Sequence, residues 1–515
     1  ILNDRSNLQV DVNNGDPTDS DGVPLLQASA TIIDYKTGQV KVLIGGRGNQ
    51  PSASLNRAYF DLKSIGSTTK PLTVYGPAID TKLITAGTPL DDTSVSEEIL
   101  EKYNFGSVVP KNADGSMFGY ITAREALTYS KNLTSIKTVD MLGLDTALNY
   151  GKKAGLKYAP QSHTMSALAL GQFDQPIGNR DGGNTTILAS AYGAFGNNGV
   201  IYEPALYTKV EDASGNLLLE KEPISTKLFS PQTSYIIYDI LKGSSTSAQF
   251  NDIPVAGKTG TTNSSDNFWF AGLTPYYSGS VWIGYDNPQR MNGKSSSAAS
   301  LFSKIMAVAH EGLEYKDIEK PSGLVEAKVC KDSGKSPTDL CYEDQRGNRV
   351  KTEYFIDGTQ PKSVCDIHVS VSVNSSNNKL ANKNTPSRLI EDKVFINKPN
   401  ANPNADDYPF VVPTREDDTK AEEYIKLSEI GLRADMDLYD AIVILNNRGI
   451  KYKIHGASVA SNISSGQYTL VSFTEKIKNS ETVKLNVKVT TNTPDENIGN
   501  NGNNHNRDCL LYTSD

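Results

Sequence analysis

The stretch Ile65-Gly66-Ser67-Thr68-Thr69-Lys70-Pro71-Leu72-Thr73 sets a glycine turn ahead of a serine and delivers that serine onto the first turn of a helix. The rest of the chain has to be organised around it. Residues three or four apart are neighbours on a helix surface, so the Lys70 amine can reach the Ser67 hydroxyl. Serine is a weak nucleophile until a base activates it, and lysine serves as that base when burial or a second cation destabilises its ammonium. Ser67 is the candidate nucleophile and Lys70 the candidate base. Such a pair is common on helix surfaces, and two further segments give it meaning. Ser130-Lys131-Asn132 begins 63 residues after Ser67, and Lys258-Thr259-Gly260-Thr261-Thr262 begins 128 residues after Ser130. Both intervals are long enough to build a helical lobe.

The flanking patterns say what surrounds these segments. Leu26 to Asp34, the turn Lys36-Thr37-Gly38 and Val40 to Ile44 read as strand, tight turn, strand. From Asp252 strand character returns in Ile253–Thr261, Asn267–Gly272 and Gly279–Tyr285, an antiparallel meander in which Trp269 and Trp282 are core anchors. Ser297 to Gly312 is an apolar helix able to cover the sheet, and between the two strand groups helices are expected from Leu72, from the capping-box-like Thr122-Ala123-Arg124-Glu125, and over 133–141, 146–154 and 184–197. Strands from both ends with helices between them predict an α+β fold: a five-stranded antiparallel sheet with flanking helices and an all-helical lobe.

Ser-x-x-Lys, Ser-x-Asn and Lys-Thr-Gly in this order resemble the signature of penicillin-interacting serine acyl enzymes. The whole span from Leu26 to Leu313, with Gly45-Gly46-Arg47 and Asn56-Arg57-Ala58 before the serine, resembles the transpeptidase domain of class A penicillin-binding proteins. The resemblance implies a β-lactamase/transpeptidase-like fold and a serine D,D-transpeptidase that cross-links peptidoglycan stem peptides through an acyl-Ser67 intermediate and is acylated by β-lactams. Under it Lys70 takes the Ser67 proton, Ser130 relays a proton to the leaving nitrogen, and Asn132 orients the substrate amide and Lys70. Lys258 adds positive potential, Thr259, Gly260 and Thr261 bind substrate, and the backbone N–H groups of Ser67 and Thr261 form the oxyanion hole. No metal or other cofactor is implied. A class A β-lactamase uses a glutamate to activate the deacylating water, and between Leu133 and Tyr202 there is none. The competing readings are a D,D-carboxypeptidase and a non-catalytic β-lactam-sensing or wall-binding protein. The Thr68-Thr69 pair departs from the family, whose second position is often larger and apolar.

Length and charge bound the remainder. A chain of 515 residues holds several units. Its net charge of −8 argues against a nucleic-acid binder. Ala256-Gly257-Lys258-Thr259 mimics the end of a phosphate-binding loop, but the glycine required five positions before Gly257 is Asp252. The five histidines are scattered, without a catalytic pairing. Residues 1–25 read as a linker or a remnant of a preceding region, 26–313 as the acyl-enzyme domain, 314–373 as a cysteine-containing extension and 374–436 as a linker. Cys330, Cys341, Cys365 and His368 include one close pair, Cys365-x-x-His368, which favours a disulfide or buried thiols over a Cys3His zinc site. Residues 437–490 form a small helix-plus-sheet module that resembles PASTA modules, and 491–515 are expected to be disordered, with Cys509 to Ser514 resembling a translated sequencing adaptor. The chain starts at Ile1 and lacks an apolar run long enough for a span. The resemblance therefore places the protein at the outer face of the cytoplasmic membrane of a Gram-positive cell, held by an anchor outside this sequence. Its expected partners are stem peptides, β-lactams and other wall-synthesis proteins, not nucleic acid.

Overall fold

The computed structural model describes residues 1–10, 15–173, 181–244, 246–419, 424–456, 458, 462–478 and 481–490. They form two compact units, one of Ile1–Ser370 with Val394–Val412, the other of Val371–Lys393 with the chain from Pro413 onward. Among the described residues no helix is long and apolar enough to cross a membrane.

The first unit is an α+β fold on a five-stranded antiparallel sheet. Its strands are β1 (Leu26–Asp34), β2 (Gln39–Ile44), β3 (Ala256–Thr261), β4 (Asn267–Leu273) and β5 (Ser278–Tyr285), in the order β2-β1-β5-β4-β3. Successive side chains on a strand point to opposite faces. Phe268, Phe270, Val281 and Ile283 accordingly enter one core, and Trp269, Ala271, Leu273 and Trp282 enter another. Both faces are covered, so β4 and β5 are buried along their whole length.

Between β2 and β3 the chain builds the helical lobe: α1 (Ala123–Thr128), α2 (Asn132–Leu142), α3 (Leu144–Lys153), α4 (Met165–Leu170), α5 (Thr185–Gly193) and α6 (Pro231–Lys242). After β5 comes α7 (Ser296–Ala309). Helix α7 covers the face carrying Phe268 and Phe270, with the rings of Phe270 and Phe302 4.7 Å apart. Helix α5 covers the other face, where the hydroxyls of Thr185 and Thr186 lie 2.9 and 3.3 Å from that of Thr31 on β1. The predicted helices over 133–141, 146–154 and 184–197 correspond to α2, α3 and α5, the last continued by a 3-10 turn at Ala194–Gly196.

Two segments read as linkers are built into this unit. Leu2, Leu8 and Val10 are buried in the core beneath α7, and the buried Arg47 guanidinium donates to the Leu2 carbonyl at 3.1 Å and pairs with Asp16. Three spaced apolar residues suffice to anchor a polar, turn-rich segment when a sheet face is waiting for them. Residues 394–412 likewise return to the first unit. Lys398 Nζ lies 2.9 Å from Asp407 Oδ2, that oxygen accepts the Tyr120 backbone N–H at 2.9 Å, and the Lys398 ammonium sits 3.9 Å from the centre of the Tyr120 ring. The extension contributes a hairpin, β6 (Leu324–Cys330) with β7 (Val350–Ile356). It ties to the lobe through Arg124, which pairs with Glu353 and Asp239, and through Lys331, which pairs with Glu125.

In the second unit Asp417 accepts hydrogen bonds from Asn374, Asn377, Thr385 and Thr419. The terminal module contains α8 (Leu438–Asn446), capped by Asp437, and a sheet of β8 (Tyr452–Gly456), β9 (Tyr468–Phe473) and β10 (Val483–Val489). Strand β10 is central, parallel to β8 and antiparallel to β9, and Leu438, Ala441, Leu445, Leu470 and Leu485 fill the core. The tail from residue 491 lies outside the described residues.

Candidate active site

Ser67 sits in a 3-10 turn, Gly66–Thr69, that runs into a π-turn at Pro71–Tyr75 and an α-helical turn at Gly76–Asp80. Glycine is required at the point of entry. Gly66 has φ +55°, and a Cβ there would lie 2.5 Å from the Thr261 carbonyl oxygen and 2.7 Å from its nitrogen. Gly171, with φ +66°, accepts the backbone N–H groups of Ile65 and Gly66 at 3.1 and 3.0 Å, and its own Cβ would strike the Gly66 oxygen at 2.1 Å. Backbone therefore abuts backbone, and the Ser67 turn is pressed against the edge strand β3. From the neighbouring strand, Trp269 Nε1 donates to the Ser64 carbonyl at 2.9 Å.

The second segment is placed by α1. Thr122 and Glu125 form a reciprocal capping box at its start. Past its end Ser130 takes φ +59°, a conformation uncommon for a side-chain-bearing residue. Asn132 opens α2, its backbone N–H donating to Asn112 Oδ1 at 2.7 Å and its Nδ2 to the Lys111 carbonyl at 2.9 Å. Lys131 between them is buried, 3.0 Å from Asp114 Oδ2 and 3.5 Å from the centre of the Phe118 ring.

Lys70 is fully buried. Its Nζ lies 2.6 Å from the Ser130 carbonyl oxygen, 2.7 Å from Asn132 Oδ1, 3.2 Å from the Lys131 carbonyl oxygen and 3.5 Å from Ser130 Oγ. Ser67 Oγ makes no hydrogen bond among the described residues, so the amine turns toward the Ser130 segment in place of the direct contact its helical spacing suggests. Burial holds the Lys70 amine well below the ordinary lysine range, the positive charges of Lys258 and Lys131 push the same way, and Asp92 opposes them. A neutral amine has two N–H donors and one lone pair. Three oxygens, Ser130 O, Asn132 Oδ1 and Lys131 O, face the amine; the neutral form donates to two of them, and its lone pair is the group that would receive a proton.

Lys258 on β3 is also buried, its Nζ 3.2 Å from the Thr259 carbonyl oxygen, and burial lowers it to about 7. Ser67, Ser130, Asn132, Thr259 and Thr261 line one cleft of about 470 Å³, while Lys70 and Lys258 lie beneath its surface. Gly260 belongs to the wall: a Cβ there would meet the Ile65 carbonyl oxygen at 2.4 Å. The cleft thus brings together a hydroxyl, a buried amine and a second hydroxyl, groups that acyl transfer requires.

Asn112, Lys131, Asp92 and Gln172 escaped the sequence reading. Asp92 Oδ1 accepts from Asn112, whose own oxygen takes the Asn132 N–H, and Gln172 Oε1 accepts the Asn263 N–H beside the cleft. Asn112 and Asp92 belong to no motif; Lys131 alone carried a signal, being the middle residue of Ser-Lys-Asn. Away from the cleft, the structure brings together Cys330, Cys341, Cys365 and His368, all buried.

The fold and this convergence define a class. The chain belongs to the penicillin-binding protein transpeptidase family, with residues 28–307 matching the penicillin binding protein transpeptidase domain. Residues 320–370 match the C-terminal domain of penicillin-binding protein 1A. The chain is 51% identical over 395 residues to penicillin-binding protein 1A of Clostridium perfringens, covering 74% of this chain and 48% of that protein. It is 44% identical over 390 residues to the protein of that name from Clostridium botulinum, covering 74% and 46%. The chain thus spans about half the length of the curated relatives it matches. The crystal structure of penicillin-binding protein 1A from Haemophilus influenzae shares the fold, with TM-score 0.55 and 21% identity over 68% of this chain and 56% of that one.

Proposed function

We propose that this chain carries a serine D,D-transpeptidase that cross-links peptidoglycan stem peptides and is acylated by β-lactams. The observation that carries the reading is the buried Lys70 amine, held by Ser130 and Asn132 and kept well below the ordinary lysine range by burial, in the same site as the partly exposed Ser67. Ser67 Oγ attacks the carbonyl of a D-Ala-D-Ala end as Lys70 takes its proton. Ser130 passes a proton to the departing amine, and the N–H groups of Ser67 and Thr261 receive the oxyanion, where each donor is worth about 10²–10³ in rate. Lys258, Thr259 and Thr261 hold the substrate carboxylate. The acyl-enzyme is then resolved by a second stem's amine; a D,D-carboxypeptidase would use water. The similarity to penicillin-binding protein 1A supports a site of action at the outer face of the cytoplasmic membrane, beside other wall-synthesis proteins, and the clostridial relatives support a Gram-positive wall.

A fluorescent penicillin tests the first half: label on Ser67 that disappears in Ser67→Ala is expected. A D-Ala-D-Ala peptide with and without an acceptor amine tests the second. Exchange with the amine supports transpeptidation, release without exchange indicates carboxypeptidation, and label without either indicates a sensor.

A further inference from the structure

The extension after the acyl-enzyme domain holds a cluster that the acyl chemistry does not use. Cys330 ends β6, Cys341 closes a 3-10 turn at Asp339–Cys341, and Cys365 and His368 follow β7. Their four ligand atoms all lie within 4.8 Å of one another, and no two of the three cysteines are joined. The three separations among Cys330, Cys365 and His368 match the edges of a tetrahedron around a metal, and Cys341 Sγ lies within 4.8 Å of each. Cys330 Sγ is 3.7 Å from Cys365 Sγ, and His368 Nδ1 is 3.5 and 3.4 Å from those two sulfurs. With metal–sulfur bonds of about 2.3 Å and metal–nitrogen bonds of about 2.0 Å, tetrahedral edges come to about 3.8 Å for S···S and about 3.5 Å for S···N. A disulfide would need the sulfurs at about 2.05 Å.

The surroundings fix the imidazole for ligation. His368 Nε2 lies 3.0 Å from Asp344 Oδ2. A carboxylate only accepts, so the proton belongs on Nε2 and the Nδ1 lone pair faces the sulfurs, the arrangement that carboxylate partners impose on metal-binding histidines. Asp344 is itself held by Arg346, and Asp332 by Arg346 and Arg349, so the second layer is balanced before any cation arrives. The Thr338 backbone N–H lies 3.4 Å from Cys341 Sγ, a donor suited to thiolate.

We infer that Cys330, Cys341, Cys365 and His368 form a structural zinc site that staples the extension. All four positions of a tetrahedron are protein ligands, which distinguishes a structural from a catalytic zinc. On uptake the three thiols give their protons to solvent while the imidazole binds in its neutral form. The need is physical: the local core consists of the three cysteines with Val350 and Ile367 packed on them, too little apolar surface to hold loops of this length. Sequence spacing pointed away from this site because only Cys365 and His368 are close in the chain.

Metal content of the purified chain, expressed in zinc-supplemented medium and kept reduced, is the test. About one zinc per chain is expected, falling to background in Cys341→Ser and in Cys365→Ser. Cobalt put in its place should give the intense visible bands of a tetrahedral thiolate site. Fluorescent-penicillin labelling of Cys341→Ser reports whether the acyl-enzyme domain still folds; if it does not, the zinc and cobalt measurements on the unaltered chain decide alone. Failure of the reduced chain to take up stoichiometric zinc, or an intact-mass loss showing a Cys330–Cys365 disulfide in the protein as isolated, would overturn the assignment.

Discussion

Two buried lysines set how the proposed acyl site should respond to pH. Lys258 ionises near 7, against the ordinary lysine value of 10.5, because it is desolvated. In the proposed reaction its charge, and with it the attraction of a substrate carboxylate, is lost as pH rises through that value. A charge-assisted hydrogen bond is worth about 1.5–3 kcal/mol, so the second-order rate of penicillin acylation should fall by at least about tenfold on the alkaline side. Lys258→Arg should move that limb out of range, and pH-rate profiles of the two proteins would show it. Stability runs the opposite way. The unfolded chain binds the extra proton between about pH 7 and 10.5, so stability climbs with pH across that window. Denaturant titrations at pH 7.5 and 9.5 should reveal the slope, diminished in Lys258→Met. Gly171 acts by shape: in Gly171→Ala the Cβ collides with the Gly66 oxygen at 2.1 Å. A displacement of about 1 Å at the nucleophile costs about 100-fold in rate, so acylation should drop by that order while intact-protein mass still registers label on Ser67.

At the scale of elements, the sheet does more than support the site; it aims it. Trp269 on β4 fills the core with its ring and fixes Ser64, three residues before the nucleophile, with its Nε1. Trp269→Ala should cost about 3–5 kcal/mol by removing a large buried ring. Trp269→Phe keeps most of that volume and orphans the Ser64 carbonyl at a cost of about 1–3 kcal/mol. Chemical denaturation gives both numbers, and the phenylalanine variant should lose acylation rate out of proportion to its stability. These strands were legible beforehand because continuous apolar runs such as Asn267–Leu273 have one economical use, a strand covered on both faces. Helices α4 and α6 were not foreseen. Met165–Leu170 is a run of mostly small apolar residues too short to show a period, and α6 announces itself only by Ser230, whose side chain accepts the Thr233 N–H. The motif residues were legible for a chemical reason, whereas Asn112 and Asp92 act only through the groups they hold and leave no pattern.

For the whole molecule, the division into units does not follow the chain. The path leaves the first unit after Ser370, re-enters at Val394 and leaves again after Val412. Composition suggested a plain connector over 374–436, because asparagine, proline and lysine dominate it; what the composition hid is that Lys398 and Asp407 are both buried and tied to Asp91 and Tyr120. A protein ending at residue 370 should therefore melt a few degrees below one ending at 412, since it loses both ions of the pair together and leaves the Tyr120 N–H without its acceptor, at a cost of about 1–3 kcal/mol. Differential scanning calorimetry of the two would settle the point, and equal melting temperatures would show that residues 394–412 contribute nothing.

That re-entrant path has a practical corollary for anyone handling the gene. A single stop codon cannot separate the first unit from the terminal module cleanly, because every cut that discards the module either forfeits the returning strap or retains the loop 371–393 with it. Excision would have to be internal, a short splice replacing 371–393 followed by termination near 412, and evolution trading such modules between proteins would face the same surgery.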